Sequence, residues 1–175
     1  MLDTLLQIFK GPPLWVWFLL AYLIFIGIKA FKPSVISLKK IFILPVVFLF
    51  FSLQRLVGNI NFFTSLVWIT STIIGVFLSV VIFSKTQIIA DKKNNLLKLP
   101  GTYSTLFLIL ISFSIKFYFG FQIGKDPSVL KDSTFFYRYI MAATLSFGMF
   151  LGRTFLYFYK FKKAESTDLL KMESS

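Results

Sequence analysis

The chain has 175 residues and a net charge of +12, from 19 Lys and Arg against 7 Asp and Glu, yet 57% of it is hydrophobic and 24 residues are Phe. That balance excludes an ordinary soluble domain and allows a handful of membrane spans of about 20 residues, with no room for a separate domain of usual size. Cys and His are both absent, which removes disulfides, thiol redox chemistry and zinc or haem sites built on thiolate or imidazole, so no metal and no cofactor is expected.

In chain order, residues 1–13 form a first segment. Leu2, Leu5, Leu6 and Phe9 fall at helical spacing before Gly11-Pro12-Pro13, which predicts a short interfacial helix or, equally, a frayed end. Five apolar stretches follow, at about 14–31, 41–57, 62–83, 103–123 and 135–159. Each is long enough to cross the hydrocarbon as a helix, the second only just. Pro45 lies in the first turns of the second stretch, where a missing amide costs least. Between the third and fourth stretches, Ile88-Ile89, then DKKNN, then Leu96-Leu97 and Leu99 read as two short apolar arms around a polar turn. A small β-hairpin is predicted there, with an irregular basic loop as the alternative. Residues 160–175 read as a polar cytoplasmic tail, whose stretch AESTDLLKMESS, 164–175, is mixed in charge and reads as mobile.

Loop charges orient the spans. Lys29, Lys32, Lys39, Lys40, Lys85, Lys92, Lys93, Lys98, Lys160, Lys162, Lys163 and Lys171 fall on one side, against Lys10, Lys125 and Lys131 on the other. The positive-inside rule then places the N-terminus outside and the C-terminus in the cytoplasm. It also accounts for the basic charge without nucleic acid, for which no recognition motif is present. The expected fold is thus all-α, an integral membrane bundle of five transmembrane helices, with the lipid bilayer as its first partner.

Two kinds of residue pattern stand out within the spans. Ser71, Gly75 and Ser79 repeat every fourth residue in the third span, and Thr144, Gly148 and Gly152 do so in the fifth. Such low-bulk faces let helix backbones approach closely, either within one bundle or between two copies. The second pattern is cationic. Lys116 interrupts the fourth span, about 20 Å from its inner end, and Arg55 and Arg138 fall near similar heights on the second and fifth spans. A charge at such depth costs roughly 2.5–3.5 kcal/mol on insertion scales, and no Asp or Glu lies within any span to neutralise it. Either the three side chains reach the outer headgroups and loop groups, including Asp126 and Asp132, or they converge on a pocket for an anionic lipid or small anionic solute. Arg153 lies deeper, on the inner side.

No phosphate loop, nucleophile triad, metal-ligand spacing or carboxylate pair appears, so an enzyme is not expected. The leading expectation is an accessory or scaffold protein that packs against partner membrane proteins or itself, and the alternative is binding or transport of an anion through Arg55, Lys116 and Arg138. GPPLWVW, the segment ADKKNNLLKLPGTYSTLFLILISFSIKFYFG and GMFLGR together resemble an uncharacterised family of small bacterial inner-membrane proteins carrying a domain of unknown function. In that family a basic loop ending in Leu-Pro-Gly-Ser leads into a helix with a late basic residue, and Gly-x-x-x-Gly-Arg closes the last helix; here Thr102 replaces the serine. The resemblance implies that Pro100, Gly101, Lys116, Gly148, Gly152 and Arg153 are distinctive positions in a five-span protein of a bacterial cytoplasmic membrane. It implies no activity.

Overall fold

The computed structural model describes residues 14–29, 31–58, 60–101 and 103–169. The predicted interfacial segment 1–13 lies outside them. Five α-helices are described: α1 Leu14–Lys29, α2 Ile43–Val57, α3 Phe62–Phe83, α4 Tyr103–Lys125 and α5 Ser133–Lys163. Five-residue 3₁₀ helices precede α2, at Leu38–Phe42, and α5, at Pro127–Lys131. Three of the five, α3, α4 and α5, are long and apolar enough to cross a membrane.

Helix α5 is the hub, and its interface with α3 is the most extensive in the molecule. The stripes of small residues make that interface. A Cβ on Gly148 would run into the carbonyl oxygen of Thr72 and lie 3.1 Å from the Cα of Gly75; one on Gly152 would lie 2.7 Å from the carbonyl oxygen of Val76. Partners advance together along both helices, so α3 and α5 are parallel. Ser71, Ser79 and Thr144 are buried in the same seam, where Thr144 donates its hydroxyl to the carbonyl of Ile140 at 2.9 Å and so adds no unsatisfied donor.

The other pairs run antiparallel. Phe48 of α2 meets Phe150 of α5 and Phe42, just before α2, meets Phe158, while Trp17 of α1 meets Phe117 of α4 and Phe31, just after α1, meets Tyr103. One hydrogen bond repairs a local defect in this packing. Pro45 has no N–H to offer the carbonyl four residues back, that of Ile41. Thr154 of α5 donates its hydroxyl to that carbonyl at 3.0 Å, in a buried setting. Thr154→Val keeps the shape and removes the donor, so a loss of about 1–3 kcal/mol is expected in the unfolding free energy of the detergent-solubilised protein. An unchanged unfolding curve would show that the carbonyl is satisfied elsewhere.

The helices end on a small antiparallel sheet in the order β1-β3-β2, made of Ser34–Ser37, Leu96–Leu99 and Ile89–Asp91. The hairpin β2–β3 turns through Asn95, whose φ of 53° is the left-handed conformation that Asn tolerates. The sequence reading contains only these two strands, whereas the structure adds β1, paired Ile36 to Leu97 and Ser34 to Leu99. Leu97 and Ala90, both fully buried, face Ile41, Tyr157 and Phe161. The sheet therefore packs on the last turns of α5, which run past the bundle.

Candidate functional site

The sheet end of the molecule concentrates the polar chemistry. At the close of α3, whose last carbonyls have no helical donors, the amine of Lys160 donates to the carbonyls of Ser84 at 2.6 Å and Thr86 at 2.7 Å. A cation on a helix C-terminus also opposes the negative end of the dipole. Arg153 works one layer deeper. Its guanidinium lies 4.9 Å from the ring centre of Phe83 and 5.1 Å from that of Tyr157, and its Nε donates to the Tyr157 hydroxyl at 3.2 Å. Both residues pin the end of α3 to α5.

Asp91 organises the hairpin. It is 1% exposed, and its carboxylate accepts from the backbone N–H of Asn94 at 2.9 Å, the side-chain amide of Asn94 at 2.8 Å and the backbone N–H of Leu169 at 3.2 Å. These bonds, led by the Asn94 side chain, hold its carboxyl below the usual carboxylate range. The third bond brings in the segment after α5. Thr167 N–H donates to the Ala90 carbonyl at 2.8 Å, Lys92 N–H donates to the Ser166 hydroxyl at 3.0 Å, and Leu169 is 2% exposed. Lys92 also turns its amine to the carbonyl of Lys162 at 2.9 Å, capping α5. Residues 164–169, which read in the sequence as a mobile tail, are held along β2 by the bonds to Ala90 and the Asp91 carboxylate and by the burial of Leu169.

The predicted cationic trio is arranged differently for each member. Lys116 is half-buried, and its amine lies 4.1 Å from the ring centre of Phe48 on α2, which in turn packs at 4.4 Å on Phe150. The aromatic face supplies a partner worth about 0.5–2 kcal/mol, rising as the site dries. Arg138 is exposed on α5. The side chain of Arg55 lies outside the described residues. Asp126 and Asp132, at the end of the bundle away from the sheet, accept from the backbone N–H groups of Ser128 and Thr134, both at 2.9 Å, and so cap the second 3₁₀ helix and α5. At that end α4 meets α5 through Phe119, whose ring centre lies 5.3 Å from those of Phe135 and Tyr139.

Asp91 and Thr154 carry no sequence expectation, and Lys92 and Lys160 enter the sequence reading only as orienting charges, not as caps of α5 and α3. The DKKNN turn was the available signal for Asp91, since an Asx residue opening a tight turn caps its own backbone. Nothing in the sequence pointed Thr154 at a carbonyl 113 positions away.

A model of a family of unknown function, DUF6622, matches residues 1–165. No curated protein and no solved structure matches the chain.

Proposed function

The chain belongs to the DUF6622 family, and from that premise we propose that it is an integral membrane protein of a bacterial cytoplasmic membrane, crossing five times with its N-terminus outside, and acting as a non-enzymatic accessory or scaffold for partner membrane proteins or a second copy. The alternation of helix directions carries this reading. With α3 and α5 parallel and in contact along their lengths, α4 has to return through the same layer. The antiparallel pairs α1–α4 and α2–α5 extend the alternation to all five.

The two shorter helices fall a few ångströms short of the hydrocarbon, a mismatch that local bilayer thinning and snorkelling flanks accommodate at modest cost. Helix α2 rises about 22 Å against a hydrocarbon thickness of about 30 Å, and the 3₁₀ helix before it carries Lys39 and Lys40 at the lysine-rich face. Helix α5, at 31 residues or about 46 Å, exceeds that thickness by roughly three turns, and those turns hold the sheet. The lysine-rich side is then the sheet side, which the positive-inside rule puts in the cytoplasm. Supporting the scaffold role over an anion pocket, Lys116 rests on Phe48 while Arg138 is exposed. A rigid bundle that mounts a folded sheet at its cytoplasmic end is suited to holding something in place.

A C-terminal reporter fusion is expected to be active only in the cytoplasm; periplasmic activity overturns the topology. Affinity purification in mild detergent followed by native mass spectrometry is expected to yield a stoichiometric partner or a dimer. Repeated recovery of a lone monomer overturns the scaffold role.

A further inference from the structure

At the sheet end of the α2–α5 pair, a ring pair and lysines from two elements occur together. Phe42 closes the 3₁₀ helix Leu38–Phe42 and meets Phe158 edge to face at 5.9 Å. Lys162, one turn beyond Phe158 on α5, holds its amine 4.7 Å from the centre of that ring. In the preceding segment, the three-residue repeat of a 3₁₀ helix puts Lys39 on the same edge as Phe42, and Lys39 is exposed. The ring pair thus has one exposed lysine beside it from each of two segments more than a hundred residues apart in the chain, Lys162 over the Phe158 ring and Lys39 one 3₁₀ turn before Phe42.

What continues from this ring pair decides the ligand. Toward the far end of the bundle, Ile43, Val46 and Val47 of α2 and Phe155 of α5 are exposed apolar side chains, between 42% and 62% exposed, on the same two helices. A site for a small soluble anion has no use for such a track. A ligand with a phosphate at one end and hydrocarbon at the other matches both parts, the lysines by charge and the track by apolarity.

We propose that Lys39, Phe42, Phe158 and Lys162 form a binding site for an anionic phospholipid, with its phosphodiester between the two amines and its acyl chains along Ile43, Val46 and Phe155. The proposal rests on the membrane-spanning reading above. It does not need the scaffold role, and it uses none of Arg55, Lys116 and Arg138.

The test is native mass spectrometry of the full chain in detergent, titrated with phosphatidylglycerol and, separately, with phosphatidylcholine. The wild-type protein is expected to retain phosphatidylglycerol in preference to phosphatidylcholine. K39Q/K162Q is expected to weaken that retention about tenfold or more, since it removes both charges that would face the phosphate. K85Q/K93Q, which removes the same charge from exposed positions at the same end, is expected to retain the lipid as the wild type does. Equal weakening in both double variants would reveal a diffuse basic surface and overturn the site, as would equal retention of the two lipids by the wild type. Displacement of phosphatidylglycerol by inorganic phosphate at comparable concentration would reduce the site to one for a soluble anion and overturn the lipid assignment. Circular dichroism and the unfolding midpoint separate lost binding from lost fold. A reporter that puts the C-terminus outside moves the site to the other leaflet and leaves the lysine comparison intact, so failure of the topology and failure of this proposal are told apart.

Discussion

Gly148→Ala is expected to destabilise the protein by about 1–3 kcal/mol and Gly148→Leu by more, read as lowered unfolding midpoints in detergent. The reason lies in the closeness of the α3–α5 seam. The first carbon added at Gly148 meets the backbone oxygen of Thr72 and the Cα of Gly75, neither of which can rotate away as a side-chain tip would. The two helices have to separate, and the dispersion contacts along Ser71, Gly75 and Ser79 weaken together, since packing rather than water exclusion holds helices in lipid. Gly120 and Gly124 of α4 provide the control. Open space surrounds both, so alanine there is expected to be neutral or to stabilise by roughly 0.5–1 kcal/mol through helix propensity. Because the seam lies within one chain, the difference is expected to be independent of protein concentration. Equal midpoints for Gly148→Ala and Gly120→Ala would show that the seam does not govern stability.

The sequence revealed that seam unevenly. A four-residue period of small side chains survives in the letters, so both stripes were readable. Their partners were not, because a stripe looks the same whether it faces its own neighbour or another copy. Helix α3 was the clearest element: a long apolar run enclosed between Asn61, whose side chain accepts from Thr64 N–H at 2.8 Å, and the Ser84-Lys85 exit. Strand β1 was invisible. Four residues carry little periodicity, and SVIS becomes a strand only because Leu96–Leu99 lies alongside it, some sixty positions later. Lys116 posed its problem plainly but not its answer, since with 24 phenylalanines the chain does not disclose which ring takes the charge.

The second large effect is expected at the docked segment after α5. Leu169 is 2% exposed, and its backbone N–H reaches the Asp91 carboxylate. Truncating its side chain to alanine removes a buried leucine at a cost of about 2–5 kcal/mol, enough to undock a segment held otherwise by a few hydrogen bonds. Amide exchange at Thr167, whose N–H is bonded to Ala90, is expected to accelerate by about thirtyfold or more in Leu169→Ala. Asp91 adds a dependence on pH whose sign is fixed. Its carboxyl is held below the ordinary value of 3.8 by the bonds it accepts. The contribution is therefore complete above that value and declines as the pH falls below it toward the lowered one. Near neutral pH the segment stays docked, and it loosens only in acid below about pH 4. Asp91→Asn keeps the size but replaces one acceptor oxygen with a donor, so Thr167 is expected to exchange faster at neutral pH and to lose the acid dependence. If Thr167 in the wild type exchanges at the rate of an unprotected amide at neutral pH, the docking on β2 is absent in solution, and the carboxylate acts only on its own turn.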